Sequence, residues 1–481
     1  MKFSIVDFVR IAKVYRVTPE TAMHDMQFAI PASKGVSTDS RTTKAGDCFF
    51  AIAGENFDGH DYVREAFAKG AVCAVVSKDI DEKEVIGKCL LKVKDTIEAL
   101  GDLAREYRRQ AGFKVIAITG SVGKTTTRQM TYHALGQRFR VHQSPASFNN
   151  NIGLPLTLLR ADPRDQIVIT ELGSNHPGEI DHLTRIAEPD IAIVTNVHPA
   201  HLEGFGDLET IAKEKSSIAE GLKPDGIFFI NGDSEILLQT CRAKGIPFQT
   251  FGQSAGCDYR TRNVCSEGTT SRFTIEDAQI VLPLAGPGNV ENALAAWAVC
   301  HALGMGIDDF ARAMETLPPV SMRSEVLQLG TLTVLNDCYN ANPASMKNAL
   351  STLARLDANQ NRRRVFICGD MAELGPRAEH HHTELGKTIV EARVQVLLAV
   401  GRLAKIAAEA AEANAEYDLQ VRCFPDVHST YQKLHEFIAD DDIILVKGSR
   451  AAGLEGLVDK LKELFPRNVS GELNVEVREA R

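Results

Sequence analysis

The sequence predicts an α/β protein of three units, a mixed N-terminal one followed by two built on mostly parallel sheets. Three observations carry this. The chain has 481 residues, and at roughly 100–200 residues per domain that length calls for about three domains. From residue 114 onward, continuous apolar runs alternate with helical patterns, as in parallel strands covered on both faces. One of those runs ends in a glycine-containing loop that opens a helix, "AITGSVGKTTT".

The elements follow in order. In the first unit, 1–112, "DCFFAIAG" reads as a strand, "YVREAFAKG" as a helix ended by glycine, and "AVCAVVS" as a second strand. A helix from Thr96 to Gln110 leads into the second unit, 113–317. There "KVIAI", "QIVITELG", "DIAIVTNV" and "GIFFING" are buried strands of a mostly parallel, P-loop ATPase-like sheet. The helix "NVENALAAWAVCHALG" closes that unit. The third unit, 318–465, starts near Pro318-Pro319. It alternates "TLTVLND", a helix from Pro343 capped by Asn342, "RRVFICGD", "VQVLLAVG" and "DDIILVKGS". This is the pattern of a Rossmann-like open sheet. Residues 466–481 are charged and read as a flexible tail.

Composition narrows the function classes. Hydrophobic residues make up 44% and charged residues 24%, as in soluble globular proteins. The formal net charge of -9 argues against non-specific nucleic-acid binding, which needs a basic face. No run approaches the ~18 apolar residues of a membrane span, and the N-terminus lacks a signal-peptide core. A cytoplasmic protein is expected. The ten cysteines are scattered singly, without a C-x-x-C pair, and read as reduced thiols.

The loop departs from the common G-x-x-x-x-G-K-[ST] pattern. Its first glycine is Gly120, where that pattern would require one at Ile118. The setting is still that of a phosphate site. Backbone N–H groups at a helix start bind anions, and Gly120 and Gly123 let the backbone approach them. Lys124 offers a positive charge, and the Thr125 hydroxyl can ligate Mg2+. Glu171 lies at a strand end, where ligands sit in open α/β sheets. A third strand end, "TNVHPAHLEGFG", carries His198 and His201 ahead of a helix with Lys213 and Lys215. Taken singly, these histidines read as structural groups and these lysines as solvated charges. In the third unit, Asp337, Asp370 and Lys447 stand at three strand ends of one sheet. "RRR" at 362–364 reads as solvated loop charge. "HHH" at 380–382 cannot converge on one ion, since successive helical residues point about 100° apart.

Taken in order, these motifs resemble the Mur ligases of peptidoglycan synthesis, and among them the branch that adds D-Ala-D-Ala. The resemblance runs from about Ser37 to Arg450. It rests on "STDSR", "GENFDGHDY", "GSVGKTT", "NNNIGLPLTLL", "LGSNHPGEIDHL", "NVHPAHLEGFG", "NDCYNANPASM", "GDMAELG" and "KGSR". It implies a monomeric ligase with ATP and Mg2+ as cofactors, and with UDP-MurNAc-tripeptide and D-Ala-D-Ala as substrates. ATP would activate the tripeptide carboxylate as an acyl phosphate, which the dipeptide amine attacks.

The resemblance also implies roles for single residues. Ser37, Asp39, Ser40 and Arg41 would recognise the UDP end. Gly120, Ser121, Val122, Gly123, Lys124, Thr125 and Thr126 would hold the ATP phosphates. Asn289 and Asn292 would serve the adenine side, and Arg323 and Asp337 would reach ATP from the third unit. Lys124, His201 and Lys215 would be catalytic. Thr125, Glu171, His201 and Lys215 would be the metal ligands, Lys215 if carbamylated. Asn340, Asn342, Asp370, Met371 and Lys447 would shape the acceptor side.

The sequence departs from the family pattern at three places. "GPGN" replaces "GRHN", so Pro287 and Gly288 stand for Arg and His. Ser147 opens "SFNN" in place of Asn, and Met322 precedes Arg323 in place of Gly. A competing reading is another Mur-type or a folylpolyglutamate synthetase-like ligase. The latter would lack a UDP-binding N-terminal domain, yet about 110 residues precede the loop. An inactive regulatory descendant would be expected to lose Lys124, Glu171, His201 or Lys215, and all four are present.

Overall fold

The computed structural model describes residues 5–18, 34–81, 83, 85–145, 147–356 and 362–466. The tail expected at 466–481 lies, beyond Pro466, outside the described residues.

Three sheets follow one another along the chain. The first has five strands in the spatial order Arg16–Thr18, Cys89–Lys92, Cys73–Val76, Asp47–Phe50 and Gly35–Ser37. Only its Arg16–Thr18 edge runs antiparallel. The "DCFFAIAG" strand stops at Phe50, and the "YVREAFAKG" helix covers Val63–Ala68, with Gly70 beyond it at φ +98°. The following helix, Thr96–Ala111, is capped by the Asp95 carboxylate, which accepts from Ile97 and Glu98, and ends at Gly112 in the left-handed region. It also ties the first unit to the second. The Tyr107 hydroxyl donates to the Ala161 carbonyl at 2.6 Å, and buried Arg108 pairs with Asp190 at 2.7 Å.

The second sheet has nine strands. Six run parallel in the order Gln249–Gly252, Ile227–Asn231, Ile191–Val194, Lys114–Thr119, Ile167–Glu171 and Val141–Gln143. Val115 to Ile118 are fully buried, as a strand covered by helices on both faces requires. The sheet continues through Tyr259–Glu267 into an antiparallel meander with Thr270–Ile275 and Ala278–Leu282. The sequence reading did not foresee this extension. Its first strand is largely exposed, so the apolar run that marked the other strands is missing.

The third sheet orders Glu325–Leu329, Leu332–Asn336, Ile443–Lys447, Arg364–Gly369, Val396–Val400 and Gln420–Phe424. All neighbours are parallel except the first pair. Asn342 caps the helix Pro343–Arg355, accepting from the Ser345 N–H at 2.9 Å in a capping box. The arginines at 362–364 are not solvated loop charges. Arg363 forms a two-point pair with the buried Asp442, at 2.8 and 2.7 Å, and Arg364 donates to the Ala392 and Ala354 carbonyls.

One buried apolar cluster runs through all three units, from Phe8 and Phe50 through Val115 and Leu172 to Leu335 and Phe366. All ten cysteines are free, and only Cys265 and Cys423 are exposed. Among the described residues, no helix is long and apolar enough to cross a membrane.

Candidate active site

A cleft of about 870 Å³ opens between the second and third sheets. Its floor is the Gly120–Thr126 loop at the end of the Lys114–Thr119 strand. Both loop glycines are needed for conformation and for space. Gly120 has φ +142°, and a Cβ there would lie 2.0 Å from Thr195 Oγ1. Gly123 has φ +86°, and its Cβ would lie 2.1 Å from Asn292 Oδ1. The neighbouring strand end pins the loop. Ser121 N–H donates to the Asn196 carbonyl at 3.1 Å, and Val122 N–H to the Asn196 side chain at 2.9 Å. The helix Lys124–Leu135 starts here, and the first-turn N–H groups of Lys124, Thr125 and Thr126 have no acceptor within its own ladder. Together with the helix dipole they form an anion cradle.

Lys124 folds back over the loop and donates to the Gly120 carbonyl at 2.7 Å. Burial pushes its ammonium down to about 8; Glu171 opposes the shift and Arg323 adds to it. Phosphate oxygens in the cradle would supply the missing counter-charge. Thr125 donates to Glu171 Oε2 at 3.2 Å, so the two predicted metal ligands are adjacent. The other carboxylate oxygen, Oε1, faces Arg128 Nε at 3.2 Å, with both side chains 2% exposed. Sequence reading missed Arg128. It sits one helical turn after Lys124, and only the fold turns it toward Glu171.

This donor set fits Mg2+ carried on a nucleotide. Mg2+ takes oxygen ligands and is commonly held by one or two protein groups plus substrate phosphates. A hydroxyl and a carboxylate in contact beside a phosphate cradle meet that need. Among the described residues, no cluster of three or more His, Cys, Asp or Glu side chains offers a self-sufficient metal cage.

The other two predicted ligands, His201 and Lys215, both feel the Lys124 charge. Lys215 is 2% exposed and donates to Ser174 Oγ at 2.7 Å, with Phe205 under its ammonium at 5.5 Å. Burial, reinforced by the Lys124 charge, lowers its pKa to about 7. As an ammonium it cannot ligate a cation. His201 adopts φ +51°, and its Nδ1 contacts Glu373 of the third unit. The Glu373 carbonyl also accepts from Glu203 N–H at 3.2 Å. Sequence reading missed Glu373. Its motif, "GDMAELG", was noted, but the left-handed φ of +60° that aims it across the cleft has no sequence signal.

Of the two residues expected on the adenine side, Asn292 accepts from the Thr127 hydroxyl at 3.3 Å, and Asn289 donates to the Ala285 carbonyl at 2.8 Å. Both line the cleft, as does Glu291, whose carboxyl burial raises to about 7. Where the family pattern has His, Gly288 packs against the facing helix, and a Cβ there would lie 3.0 Å from Asn348 Nδ2.

The third unit supplies the opposite wall. Arg323 stacks on the Tyr339 ring at 4.2 Å. Asp337 accepts from Ser324 N–H at 2.9 Å and from Lys447 Nζ at 2.6 Å. Of the residues expected on the acceptor side, Asn340, Asn342 and Lys447 line the cleft. Lys447 is 2% exposed and also donates to the Asn340 carbonyl at 2.9 Å, so its ammonium is engaged within the third unit and braces Asp337. Asp370 points away, with its carboxylate accepting from Ala404 N–H at 2.6 Å at the start of the helix Arg402–Asn414. Met371 is fully buried, and its N–H donates to His382 Nε2 at 3.0 Å. His382, the one internal member of the histidine run, thereby holds the loop that carries Glu373. Asn340 lines the cleft, and Asn342 lines it while acting as a helix cap.

The Ser37–Arg41 loop lies in the first unit, outside this cleft. Buried Ser37 donates to the Asp39 carbonyl at 2.9 Å, and Ser40 donates to Glu65 at 3.0 Å. Asp39 and Arg41 pair through two bonds of 2.9 and 2.8 Å, which hold the carboxyl below its usual range. The four residues form one turn at the end of the Gly35–Ser37 strand.

Comparison with known proteins agrees with this layout. Residues 33–108 match the Mur ligase family catalytic domain, 118–300 the Mur ligase middle domain, and 322–450 the Mur ligase glutamate ligase domain. The chain is 35% identical over 434 residues to the UDP-N-acetylmuramoyl-tripeptide–D-alanyl-D-alanine ligase of Bacillus subtilis, covering 89% of this chain and 93% of that one. Its structure resembles MurF from Acinetobacter baumannii with a TM-score of 0.86 and 31% identity, covering 96% of this chain and 99% of that one. It also resembles the MurF ligase of Thermotoga maritima in complex with ADP, with a TM-score of 0.78 and 26% identity, covering 90% and 97% of the two chains. With all three domains matched in order and 35% identity across 89% of its length, the chain belongs to the Mur ligase family.

Proposed function

We propose that this protein joins D-alanyl-D-alanine to UDP-N-acetylmuramoyl-tripeptide at the expense of ATP, releasing ADP and phosphate, in the cytoplasm and as a monomer. The observation that carries this reading is the single cleft in which the Gly120–Thr126 cradle faces Arg323, Asp337 and Asn340 of the third unit. Substrate activation and amine attack both need that shared space. The units 1–112, 113–317 and 318–465 would hold the UDP end, ATP and the acceptor, respectively.

A carboxylate is a poor electrophile, and phosphorylation gives it a leaving group. The cradle N–H groups and Lys124 hold the triphosphate and stabilise charge that spreads over the transferring phosphoryl group. Thr125 and Glu171 would hold the Mg2+, which supplies further positive charge at the phosphates. Arg128 faces the Glu171 carboxylate and orients it. Arg323 closes the nucleotide from the third unit, with Asp337 braced by Lys447. The dipeptide amine then attacks the acyl carbon, the tetrahedral adduct expels phosphate, and the amine proton is lost to the medium or to phosphate. A Lys215 poised near neutrality supports carbamylation there. Its neutral amine would add CO2 and lose a proton, giving an anion beside His201 in place of an ammonium.

Purified protein should release phosphate only with ATP, Mg2+, the UDP-tripeptide and D-Ala-D-Ala all present. Turnover with folate and glutamate, and no amide from these substrates, would overturn the reading. Sedimentation of the protein tests the monomer.

A further inference from the structure

We propose that Arg450 receives the terminal carboxylate of the acceptor dipeptide, and so sets the preference for an acceptor with a free C-terminus. The inference rests on the ligase reading above. It starts from charge. D-Alanyl-D-alanine keeps its carboxylate after its amine has reacted, and a carboxylate drawn into a cleft needs a cation with hydrogen-bond donors.

Among the described residues, four lysines and arginines line the cleft: Lys124, Arg323, Lys447 and Arg450. Three are committed. Lys124 lies across the phosphate loop, bonded to the Gly120 carbonyl. Lys447 is spent on Asp337 and the Asn340 carbonyl. Arg323 stacks on the Tyr339 ring, its charge lowers the pKa of Lys124 and Arg128, and the ligase reading assigns it to ATP. Arg450 remains. Its side chain is 59% exposed, and it makes a one-point pair from Nη1 to Glu455 at 3.3 Å. No described residue engages the Nε–Nη2 edge of its fork, and that edge suits a carboxylate bidentately.

Position agrees with charge. The Tyr339 ring carries Arg323 at 4.2 Å and Arg450 at 5.9 Å. Arg450 therefore borders the same ring as the arginine assigned to ATP in the ligase reading. Arg450 lines the same cleft as the phosphate loop, so an acceptor held there shares its space with the activated carboxyl. The backbone of Arg450 is well anchored. Ser449 N–H donates to the Asp370 carbonyl at 2.9 Å, and Gly448 packs so closely that a Cβ would lie 3.0 Å from Gly369 Cα.

The test compares wild type, Arg450→Ala and Arg450→Lys with D-Ala-D-Ala and with its C-terminal amide, at saturating ATP and UDP-MurNAc-tripeptide. Arg450→Ala should raise KM for D-Ala-D-Ala on the order of ten- to a hundredfold, the worth of a hydrogen-bonded charge. The KM values for ATP and the UDP-tripeptide should hold, and kcat at saturating dipeptide should stay within about threefold. The amide should be a poor substrate for wild type, and Arg450→Ala should no longer tell the two acceptors apart. Arg450→Lys, which keeps charge without the fork, should fall between. The inference is overturned if Arg450→Ala loses acid and amide equally, or if the KM that rises is that of the UDP-tripeptide. If wild type forms no amide at all, the ligase reading itself fails. Unchanged thermal unfolding of Arg450→Ala separates lost binding from lost fold.

Discussion

Replacing Lys447 with Met separates a brace from a substrate contact. In the structure Lys447 Nζ reaches Asp337 Oδ2 at 2.6 Å, and the two side chains are 2% and 16% exposed. The same ammonium serves the Asp337 and Asn340 carbonyls at 3.3 and 2.9 Å. Methionine fills a similar volume and removes every donor. Breaking a buried pair by deleting one partner costs about 3–5 kcal/mol, because the other charge stays buried. The Asp337 carboxylate borders the cleft, so water relieves part of this and the low end, about 3 kcal/mol, applies. For a domain of this size each kcal/mol shifts the unfolding midpoint by about 2–4 °C, so a drop of roughly 6–12 °C is expected. Calorimetry of the ligand-free protein measures it. The double variant Lys447→Met/Asp337→Asn should recover part of the loss, since the stranded charge is gone. A midpoint within about 2 °C of wild type, paired with a raised KM for the dipeptide, would refute the brace and restore Lys447 to the acceptor side.

Three other outcomes are expected. Lys124→Met should lower kcat by about 10²–10³ in the phosphate-release assay, the cost of removing one preorganised charge. Its thermal midpoint without ATP should not fall, since its ammonium is disfavoured by burial. Gly123→Ala should abolish nucleotide binding measured by calorimetry, because the new Cβ meets Asn292 Oδ1 at 2.1 Å and φ is +86°; near-normal affinity would contradict the loop geometry. Lys215 has its pKa lowered in the fold from 10.5 to about 7. The unfolded state thus holds an extra proton between those values, and this contribution to stability grows as pH rises through that window and is lost as pH falls to 7. The wild-type midpoint should gain more between pH 7 and pH 9 than that of Lys215→Met, and equal gains would refute the assignment.

The alternation of apolar runs with helices marked the parallel strands because both faces of those strands are buried. The same rule hid the Tyr259–Glu267 meander, whose largely exposed first strand lacks the apolar run. The phosphate loop was legible because its chemistry is local: two glycines, a lysine and a threonine between a strand and a helix. The Asn342 cap was legible for the same reason.

By itself, then, the sequence determined the α/β class, the phosphate cradle and its family, since those depend on residues close together in the chain. Tertiary structure alone decided which polar side chains face the cleft. Asp370 and Lys447 stand at strand ends as expected, yet one caps a helix and the other neutralises Asp337. Glu373 and Arg450 reach the cleft through backbone turns that no residue pattern encodes. A buried polar group must find a partner, and the fold supplies partners from segments more than a hundred residues apart, as with Lys447 and Asp337, separated by 110 positions.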